Sequence, residues 1–178
     1  MSYIKVQKLD DVLYEKIFEI IDASHNSVVP PLSERYTFQN NPSEITTQYM
    51  KDKFEGQNCD FVCLYNDSLD LLGFTAIKPK MIWEYLYNGE SHSFECAYIT
   101  LTIVSPNFRQ QGVANKLYTY IDSVYMPNHF VKTLVRCTWS TNLNQRHLYS
   151  KFGYAPFNTI FDDRGIGIDT ISFKKDFT

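Results

Sequence analysis

The chain has 178 residues, of which 44% are hydrophobic and 21% charged, the amount of material in one folded domain over residues 1–178. A domain of this length buries roughly 70% of the surface that its unfolded chain exposes, so a disordered, fibrous or disulfide-dependent protein is disfavoured. Seventeen Lys and Arg against twenty Asp and Glu give a formal net charge of −3, without a basic run. Because nucleic-acid binding needs clustered cations, a broad nucleic-acid interface is disfavoured too.

The cysteines indicate neither a metal site nor a disulfide. They stand at positions 59, 63, 96 and 137, without a CxxC pair or a Cys/His cluster at metal-ligand spacing. Cys59 and Cys63 lie in an extended-looking run that separates them by about 13 Å, too far for a disulfide. We therefore expect reduced thiols and a cytoplasmic protein. No stretch approaches 18 apolar residues and no signal segment is recognisable, so neither secretion nor a membrane span is predicted.

The first third of the chain predicts a strand and two helices. Residues 3–9 alternate as a strand does. Asp10 is then a helix N-cap, and the helix carries apolar residues on one side at Leu13, Ile17, Ile20 and Ile21. Two prolines within residues 28–32 interrupt regular structure. A second helix is predicted from its cap at Asn41, with proline at the first helical position, to about Phe54.

The middle of the chain predicts strands around one loop. Residues 61–65 and 71–77 flank the polar turn 66–68 and indicate a hairpin. Residues 83–94 are polar and rich in aromatic side chains, and we expect a loop there. Residues 95–104 form the longest β-prone run of the sequence and end before a proline.

The last third predicts two more helices and a final hairpin. Apolar residues recur at helical spacing at Val113, Leu117, Ile121 and Val124. Residues 130–139 return to a strand, and a short helix over 142–152 ends at Gly153, where a C-cap favours positive φ. The tail alternates around a turn at 162–165. The order β-α-α-β-β-β-α-β-α-β-β predicts a mixed α+β fold with a central, largely antiparallel sheet.

The segment 106–115 joins a strand to a helix and has a chemical meaning. Small residues at a helix start leave backbone N–H groups bare, and these groups with the helix dipole form an anion site suited to phosphate or pyrophosphate. Neither a Walker loop nor a GxGxxG fingerprint is present. The alternative interpretation is an ordinary loop with a close-packed glycine.

Two motifs resemble those of one enzyme family. The run Arg109-Gln110-Gln111-Gly112-Val113-Ala114 resembles the R/Q-x-x-G-x-G/A signature of the GCN5-related N-acetyltransferase (GNAT) superfamily, which binds acetyl-CoA. Residues 142–154, one strand later, resemble the N-x-x-A-x-x-x-Y-x-K-x-G-F segment of that family. Motif-level similarity covers residues 95–154, and the order of elements fits nearly the whole chain.

The resemblance implies a GNAT fold and a cofactor site. The sheet would be twisted and mostly antiparallel, flanked by helices, with its fourth and fifth strands splayed around the pantetheine arm of acetyl-CoA. The pyrophosphate would be held by the amides of 109–114, with Gly112 and Ala114 small enough for close approach. The Arg109 side chain would add charge. The residues implied in cofactor binding are Thr102, Ile103, Val104, Arg109, Gln110, Gln111, Gly112, Val113, Ala114 and Asn142.

The resemblance also implies catalytic candidates. Tyr149 would lie beside the thioester sulfur as general acid. Free tyrosine has a pKa of about 10 and a thiol about 8.5, so proton transfer to a departed thiolate is uphill by roughly 2 kcal/mol, and Tyr149 must act as the sulfur leaves or have its pKa lowered locally. Some relatives carry a glutamate base where this chain has Cys137. Glu95 is a weak candidate for the base, and a surface role, a water relay or no base at all remain alternatives.

The predicted function is acetyl transfer from acetyl-CoA to a primary amine, without metal. The net negative charge slightly favours a small cationic acceptor. A protein N-terminal or lysine acetyltransferase is the alternative within the enzyme class, and a non-catalytic acetyl-CoA-binding sensor or regulatory subunit is the alternative outside it. We expect no nucleic-acid or membrane partner, while a homodimer and an acyl group other than acetyl stay open. The aromatic and proline candidates for an acceptor pocket, which packing explains equally well, are Pro30, Pro31, Tyr36, Trp83, Tyr85 and Tyr87.

Overall fold

The computed structural model describes residues 2–26, 31–36 and 41–178. Within them, seven strands and five α-helices are formed, together with a 3₁₀ turn at Pro106–Phe108 and a π-helical turn at Ile121–Tyr125. The strands are β1 Ser2–Gln7, β2 Asp60–Asn66, β3 Leu71–Tyr87, β4 Glu90–Val104, β5 Thr133–Trp139, β6 Ala155–Ile160 and β7 Thr170–Asp176. The helices are α1 Asp11–Asp22, α2 Leu32–Arg35, α3 Pro42–Phe54, α4 Val113–Tyr120 and α5 Leu143–Lys151.

The described strands form one sheet in the order β1-β2-β3-β4-β5-β7-β6. Antiparallel pairing joins β1 to β2, β2 to β3, β5 to β7 and β6 to β7, whereas β4 and β5 are parallel. The β4–β5 pairing covers three residue pairs and ends at Ile99 opposite Arg136, although both strands continue further. The predicted α+β fold with a mostly antiparallel sheet is confirmed, and the short β4–β5 pairing agrees with splayed strands.

The predicted helix starts are confirmed by their caps. The Asp10 side chain accepts a hydrogen bond from the Leu13 amide at 2.7 Å, and Asn41 accepts one from the Ser43 amide at 3.0 Å. Each bond satisfies a backbone donor that has no acceptor inside the helix. The short helix α2 lies beside the prolines that we expected to interrupt regular structure, and residues 28–30 of that segment lie outside the described residues.

The chain divides into two compact units, and the first consists of Met1–Ile77 and Leu101–Ile121. Its core lies between the apolar side of α1, α3 and the inner face of β2 and β3. Apolar burial of this kind contributes roughly 25 cal/mol per Å² and is the main stabilising term of the unit. Core members include Leu13, Ile17, Ile21, Tyr49, Met50, Phe61, Phe74 and Ile103.

The second unit consists of Lys78–Thr100 and Asp122–Thr178, and it shows that the predicted loop at 83–94 is wrong. β3 and β4 continue through this segment and are joined by the two-residue turn Asn88-Gly89, whose φ angles are +52° and +82°. Asn-Gly with two positive φ angles is the favoured sequence of a tight hairpin turn. The rings of Trp83 and Tyr85 pack against Phe157 at centroid distances of 6.2 and 5.5 Å, so the aromatic residues belong to a sheet face.

Three further boundaries differ from the sequence prediction. β5 begins at Thr133, later than residue 130, where the sequence predicted its start. Phe130 lies before the strand and is 99% exposed. Val124 is exposed as well, since the π turn at Ile121–Tyr125 changes the helical period that the apolar spacing assumed. The turn at 162–165 is confirmed by the hydrogen bond from the Gly165 amide to the Asp162 carbonyl at 3.2 Å, but its flanking strands end earlier and begin later than predicted.

Two further findings concern the whole of the described chain. None of its helices is long and apolar enough to cross a membrane. The four cysteines, all among the described residues, form no disulfide, and three of them are buried. The prediction of one domain over residues 1–178 stays a prediction.

Candidate functional site

The loop between β4 and α4, residues 105–112, has an unusual backbone conformation. The Ser105 amide donates to the Leu72 carbonyl at 2.9 Å and fixes the start of the loop. Gln110 and Gly112 then adopt left-handed conformations, with φ of +60° and +76°. Left-handed residues next to ordinary ones turn successive N–H groups toward one side, and such concave runs of amides bind anions. A non-glycine residue in this region costs free energy, so the strain at Gln110 is compatible with a functional loop.

The loop leads into the N-terminus of α4, which presents further donors. The Lys116 amide donates to the Gly112 carbonyl at 3.0 Å and opens the helical hydrogen-bond pattern. The amides of Val113, Ala114 and Asn115 precede that bond and have no acceptor within the helix. Together with the helix dipole, they form the kind of site that binds phosphate groups.

Gly112 is required here for its conformation. A Cβ built on Gly112 would meet no described atom within 4 Å, so the glycine is not closely packed in the protein itself. Its φ of +76° is the reason that glycine suits the position, because L-residues with a Cβ rarely adopt this conformation. The alternative interpretation of a close-packed glycine is therefore wrong for Gly112.

Arg109 attaches the loop to the rest of the first unit. Its Nη2 donates to the Ser24 hydroxyl at 3.0 Å and its Nε donates to the Val104 carbonyl at 3.3 Å. Ser24 is buried directly after α1, and Val104 is the last residue of β4. The side chain predicted to add charge for a phosphate thus also fixes the position of the loop.

Gly73 on β3 is a residue that the sequence analysis missed. A Cβ at this position would lie 2.9 Å from the Ile103 carbonyl oxygen, 3.0 Å from Cγ1 of Val113 and 3.2 Å from Cα of Val104. The first distance is shorter than real Cβ contacts and the other two are tighter than most of them, and two of the three atoms belong to the backbone. Gly73 therefore allows β3 to approach the end of β4 and the start of α4. The only sequence signal for this role is the position of Gly73 inside a strand pattern, because such a glycine often marks a place where another backbone approaches closely.

The predicted residues at the end of β4 have their side chains engaged within the unit. The hydroxyls of Thr102 and Thr75 lie 3.0 Å apart, and Ile103 is part of the core. The cofactor contacts that the resemblance implies for the main chain of Thr102, Ile103 and Val104 stay a prediction.

The second unit contains Asn142 and Tyr149 on α5. Asn142 is the N-cap, and its side-chain oxygen accepts a hydrogen bond from the Gln145 amide at 3.3 Å. Tyr149 follows about two helical turns later and is 5% exposed. Its hydroxyl donates to the Cys137 carbonyl at 3.4 Å, and its ring packs on Phe173 at 5.3 Å.

Glu95, the weak candidate for a general base, lies on the surface of the second unit. Its carboxylate forms an ion pair with Lys80 Nζ at 2.7 Å, and its side chain is 43% exposed. Cys137, at the position where some relatives carry a glutamate, has its thiol 3.4 Å from the Ser172 hydroxyl. The described residues contain no group of three His, Cys, Asp or Glu side chains that could hold a metal ion.

The candidates for an acceptor pocket take part in packing. Tyr85 stacks on His92 at 5.4 Å and Tyr87 meets the same ring edge-on at 6.2 Å. The Tyr36 hydroxyl donates to the Asp52 carboxylate at 2.7 Å. Pro30 lies outside the described residues. Packing therefore accounts for these contacts without a ligand.

Comparison with solved structures establishes the fold as that of acetyltransferases. The chain is similar to an N-acetyltransferase from Staphylococcus aureus, with a TM-score of 0.63, 13% identity and 99% of each chain covered. It is similar to the ribosomal-protein-S18-alanine N-acetyltransferase of Escherichia coli, with a TM-score of 0.63, 12% identity and coverage of 99% and 95%. A GNAT-family acetyltransferase from Bacillus cereus gives a TM-score of 0.59, 18% identity and 99% coverage of each chain.

The sequence itself matches the model of the acetyltransferase (GNAT) family over residues 15–154. The chain therefore belongs to the GNAT family, as its two motifs indicated. No curated protein matches it.

Proposed function

We propose that the chain is an N-acetyltransferase that moves an acetyl group from acetyl-CoA to the primary amine of a small acceptor, by direct attack in a ternary complex. Its family transfers acetyl groups in general and uses acetyl-CoA as donor. The observation that carries the proposal is the loop 105–112, where two left-handed residues lead into the open amides of α4. Backbone donors of this kind suit the pyrophosphate of acetyl-CoA and need no lysine cluster.

The proposed cofactor contacts are made mostly by the backbone. In the first unit, the amides of 109–114 bind the pyrophosphate, and the main chain of 102–104 bonds to the pantetheine arm. Asn142 of the second unit is also proposed to bind the cofactor, and its NH₂ group is the donor it would use, because its side-chain oxygen accepts from the Gln145 amide.

The proposed reaction needs a neutral amine and a protonated leaving group. The amine nitrogen bonds to the acetyl carbon, the carbon–sulfur bond breaks, the nitrogen loses a proton, and the sulfur takes the proton of the Tyr149 hydroxyl. The Tyr149 hydroxyl lies 3.4 Å from the Cys137 carbonyl oxygen, at the long end of the hydrogen-bond range. Replacing that acceptor by the sulfur therefore costs little free energy. Tyr149 then regains a proton from solvent.

We propose that a water relay removes the amine proton or that no protein base is used, because Glu95 is engaged in an exposed ion pair with Lys80. At pH 7 about one α-amine in ten is already neutral, against about one lysine-like amine in 2,500. An α-amine acceptor therefore needs no dedicated base.

Glu95→Gln tests this assignment. Exposed ion pairs contribute about 0–1 kcal/mol, so we expect turnover to change less than about threefold. Lys80→Met, which breaks the same pair from the other side, is the control and should behave alike. A loss above tenfold for Glu95→Gln alone would make Glu95 the base.

A small cationic acceptor is favoured by the formal net charge of −3. A protein N-terminal or lysine acetyltransferase is the second enzymatic candidate, and a non-catalytic acetyl-CoA sensor is the candidate of another class. The cytoplasmic location and the absence of metal, nucleic-acid and membrane partners stay predictions, and a homodimer stays open.

The experiment combines binding and turnover. Calorimetry with acetyl-CoA is followed by thiol release in the presence of polyamines, aminoglycosides, amino acids and peptides with a free N-terminus or lysine. We expect binding of acetyl-CoA and thiol release with a small amine. Release with peptides alone would favour the protein acetyltransferase, binding without release would favour the sensor, and absence of binding would overturn all three.

A further inference from the structure

Arg136 on β5 is a buried charge that the proposed reaction does not yet use. It is 0% exposed and is the largest fully buried side chain of the described residues. A guanidinium stays charged at any pH at which a protein is folded, and burial of a charge is costly unless neighbours compensate it. A well-packed apolar side chain of similar volume is often as stable or more stable at such a position, so packing alone is a weak reason for an arginine.

The guanidinium belongs to a polar cluster of the second unit, which we call the Arg136 cluster: Arg136, Tyr154, Asp122 and Lys175. Nη2 of Arg136 donates to the Tyr154 hydroxyl at 2.6 Å, and that hydroxyl donates to the Asp122 carboxylate at 2.9 Å. Lys175 Nζ donates to the other oxygen of Asp122 at 2.8 Å. Two cations and one carboxylate give the cluster a formal net charge of +1.

Tyr154 links Arg136 to Asp122 by hydrogen bonds and itself stays uncharged. It is 3% exposed, and burial raises the pKa of its hydroxyl far above the ordinary value. Tyr154 therefore remains a neutral phenol that accepts from Arg136 and donates to Asp122. Through Tyr154, Arg136 is thus linked to a carboxylate that Lys175 also pairs with.

The same guanidinium lies against the candidate acid. Its Cζ is 4.1 Å from the ring centroid of Tyr154 and 5.4 Å from that of Tyr149, so both rings contact one cation. A cation is attracted to a neutral aromatic ring, and more strongly to a ring that takes on negative charge. Tyr149 takes on such charge when its O–H bond breaks and the S–H bond of the leaving thiol forms.

We infer that Arg136 is a positioning residue that orients Tyr149 and stabilises it while the phenolic proton passes to the sulfur. The inference rests on the proposed function, because it assigns the role through Tyr149. The proton of the hydroxyl goes to the sulfur, the electron pair stays on the phenolate oxygen of a ring whose centroid lies 5.4 Å from Cζ of Arg136, and solvent restores the proton after release of CoA. No oxidant, metal or further reactant is needed.

The test is a double-mutant cycle. Arg136→Met and Arg136→Gln remove the charge and Arg136→Lys keeps it, each in the wild-type and in the Tyr149→Phe background. Glutamine is included because its amide can still donate to Tyr154 and so preserve the fold. Circular dichroism and thermal midpoints verify folding, and Arg146→Met, a half-buried arginine of α5 that donates to the Ser140 carbonyl, is the matched control.

We expect the neutral variants to lower kcat about tenfold or more, because an opposite charge at this distance typically changes the stability of a charged group by at least that factor. The acetyl-CoA Kd and the amine KM should change less than about threefold, and Arg136→Lys should recover most of the lost kcat. In the Tyr149→Phe background the same substitutions should change kcat less than about twofold, because the group they act on is gone.

Three results would overturn the inference. Unchanged kcat in folded Arg136→Met or Arg136→Gln removes the role. Equal losses with and without the Tyr149 hydroxyl show that Arg136 acts through the fold alone. If Tyr149→Phe alone leaves turnover intact, the acid role and this inference fall together, whereas wild-type protein that releases no thiol with any amine overturns the proposed function itself.

Discussion

The two buried tyrosines around Arg136 hold their protons differently. The Tyr154 hydroxyl has partners at 2.6 and 2.9 Å, whereas the Tyr149 hydroxyl lies 3.4 Å from the Cys137 carbonyl. Short hydrogen bonds to charged groups are about twice as strong as neutral ones. The proton of Tyr154 is therefore held within the Arg136 cluster, whereas the longer hydrogen bond of Tyr149 suits the proton-donor role proposed for it.

Tyr149→Phe should lower kcat at least about tenfold and leave acetyl-CoA affinity nearly unchanged, because general acid catalysis contributes 10²–10⁴-fold and the ring remains in place. Steady-state thiol release and calorimetry measure the two quantities. Tyr49→Phe, which removes a hydroxyl from a tyrosine 2% exposed in the core of the first unit, is the control for stability. Equal turnover of wild type and Tyr149→Phe would remove the acid role.

Gly73→Ala should destabilise the protein by about 1–3 kcal/mol, since the added Cβ overpacks a site where backbone cannot easily move. The new atom would lie 2.9 Å from the Ile103 carbonyl oxygen and 3.0 Å from Val113 Cγ1. Chemical denaturation measures the loss, and acetyl-CoA affinity should fall with it because the end of β4 shifts. Removal of the Val113 contact in Gly73→Ala/Val113→Ala should not restore stability, and full rescue by that double variant would contradict the role of the backbone contact.

At the scale of elements, the long side chain of Arg109 helps to hold the connection between β4 and α4, together with the bond from the Ser105 amide to the Leu72 carbonyl. Arg109 joins the loop to Ser24, a residue 85 positions away in sequence. The charged hydrogen bonds of such a side chain contribute about 1.5–3 kcal/mol each. The loop therefore depends on Arg109 for its position, whatever direct contact the guanidinium makes with a phosphate.

Arg109→Met should weaken acetyl-CoA binding by about tenfold or more, because the loop loses its anchoring bonds. Lys116→Met is the matched control: it removes a cation of α4 whose ammonium donates to the Ser2 hydroxyl at 3.2 Å. Calorimetry at low and high salt separates anchoring from charge, since only a direct charge effect is screened. Equal weakening by both variants would show that net charge, and not the loop anchor, controls affinity.

At the scale of the whole molecule, each unit contains a fully buried thiol that resists ionisation. Burial raises the pKa of Cys63 in the first unit and of Cys96 in the second to about 12. Burial also raises the pKa of Tyr65 to about 12. The folded chain therefore keeps these protons at a pH where the unfolded chain loses them.

Stability should be independent of these groups below about pH 8 and should fall as the pH rises from 9 toward 12. The sign follows because the unfolded state binds fewer protons than the folded state in that window, at most about 1.4 kcal/mol per pH unit for each thiol. Urea unfolding at several pH values measures the slope. Replacement of Cys63 and Cys96 by alanine should make the free energy of unfolding fall less steeply as the pH rises above 9. Tyr65 should account for part of the fall that remains. An unchanged slope would contradict the prediction.

Much of the fold was predictable because its signals are local. The N-caps of α1 and α3, the buried side of α1, the positive φ of Gly153 and both family motifs all depend on residues within a few positions of one another. The long β3–β4 hairpin was missed for the opposite reason. Its polar and aromatic alternation suggests a loop until Phe157, far along the chain, covers one face, although Asn88-Gly89 was a usable turn signal.

The sequence by itself determined the α+β architecture, the GNAT resemblance and the positions of the loop 105–112 and Tyr149, because periodicity, capping and motif spacing are properties of short segments. Only the tertiary structure decided that Gly73 makes room for the end of β4, that Arg109 holds the loop, and that Arg136 lies against Tyr149. These contacts join residues distant in sequence, and a close approach or a buried charge is defined by the atoms that surround it. A pattern of residues that are neighbours in the sequence does not encode which atoms surround a side chain in the folded protein.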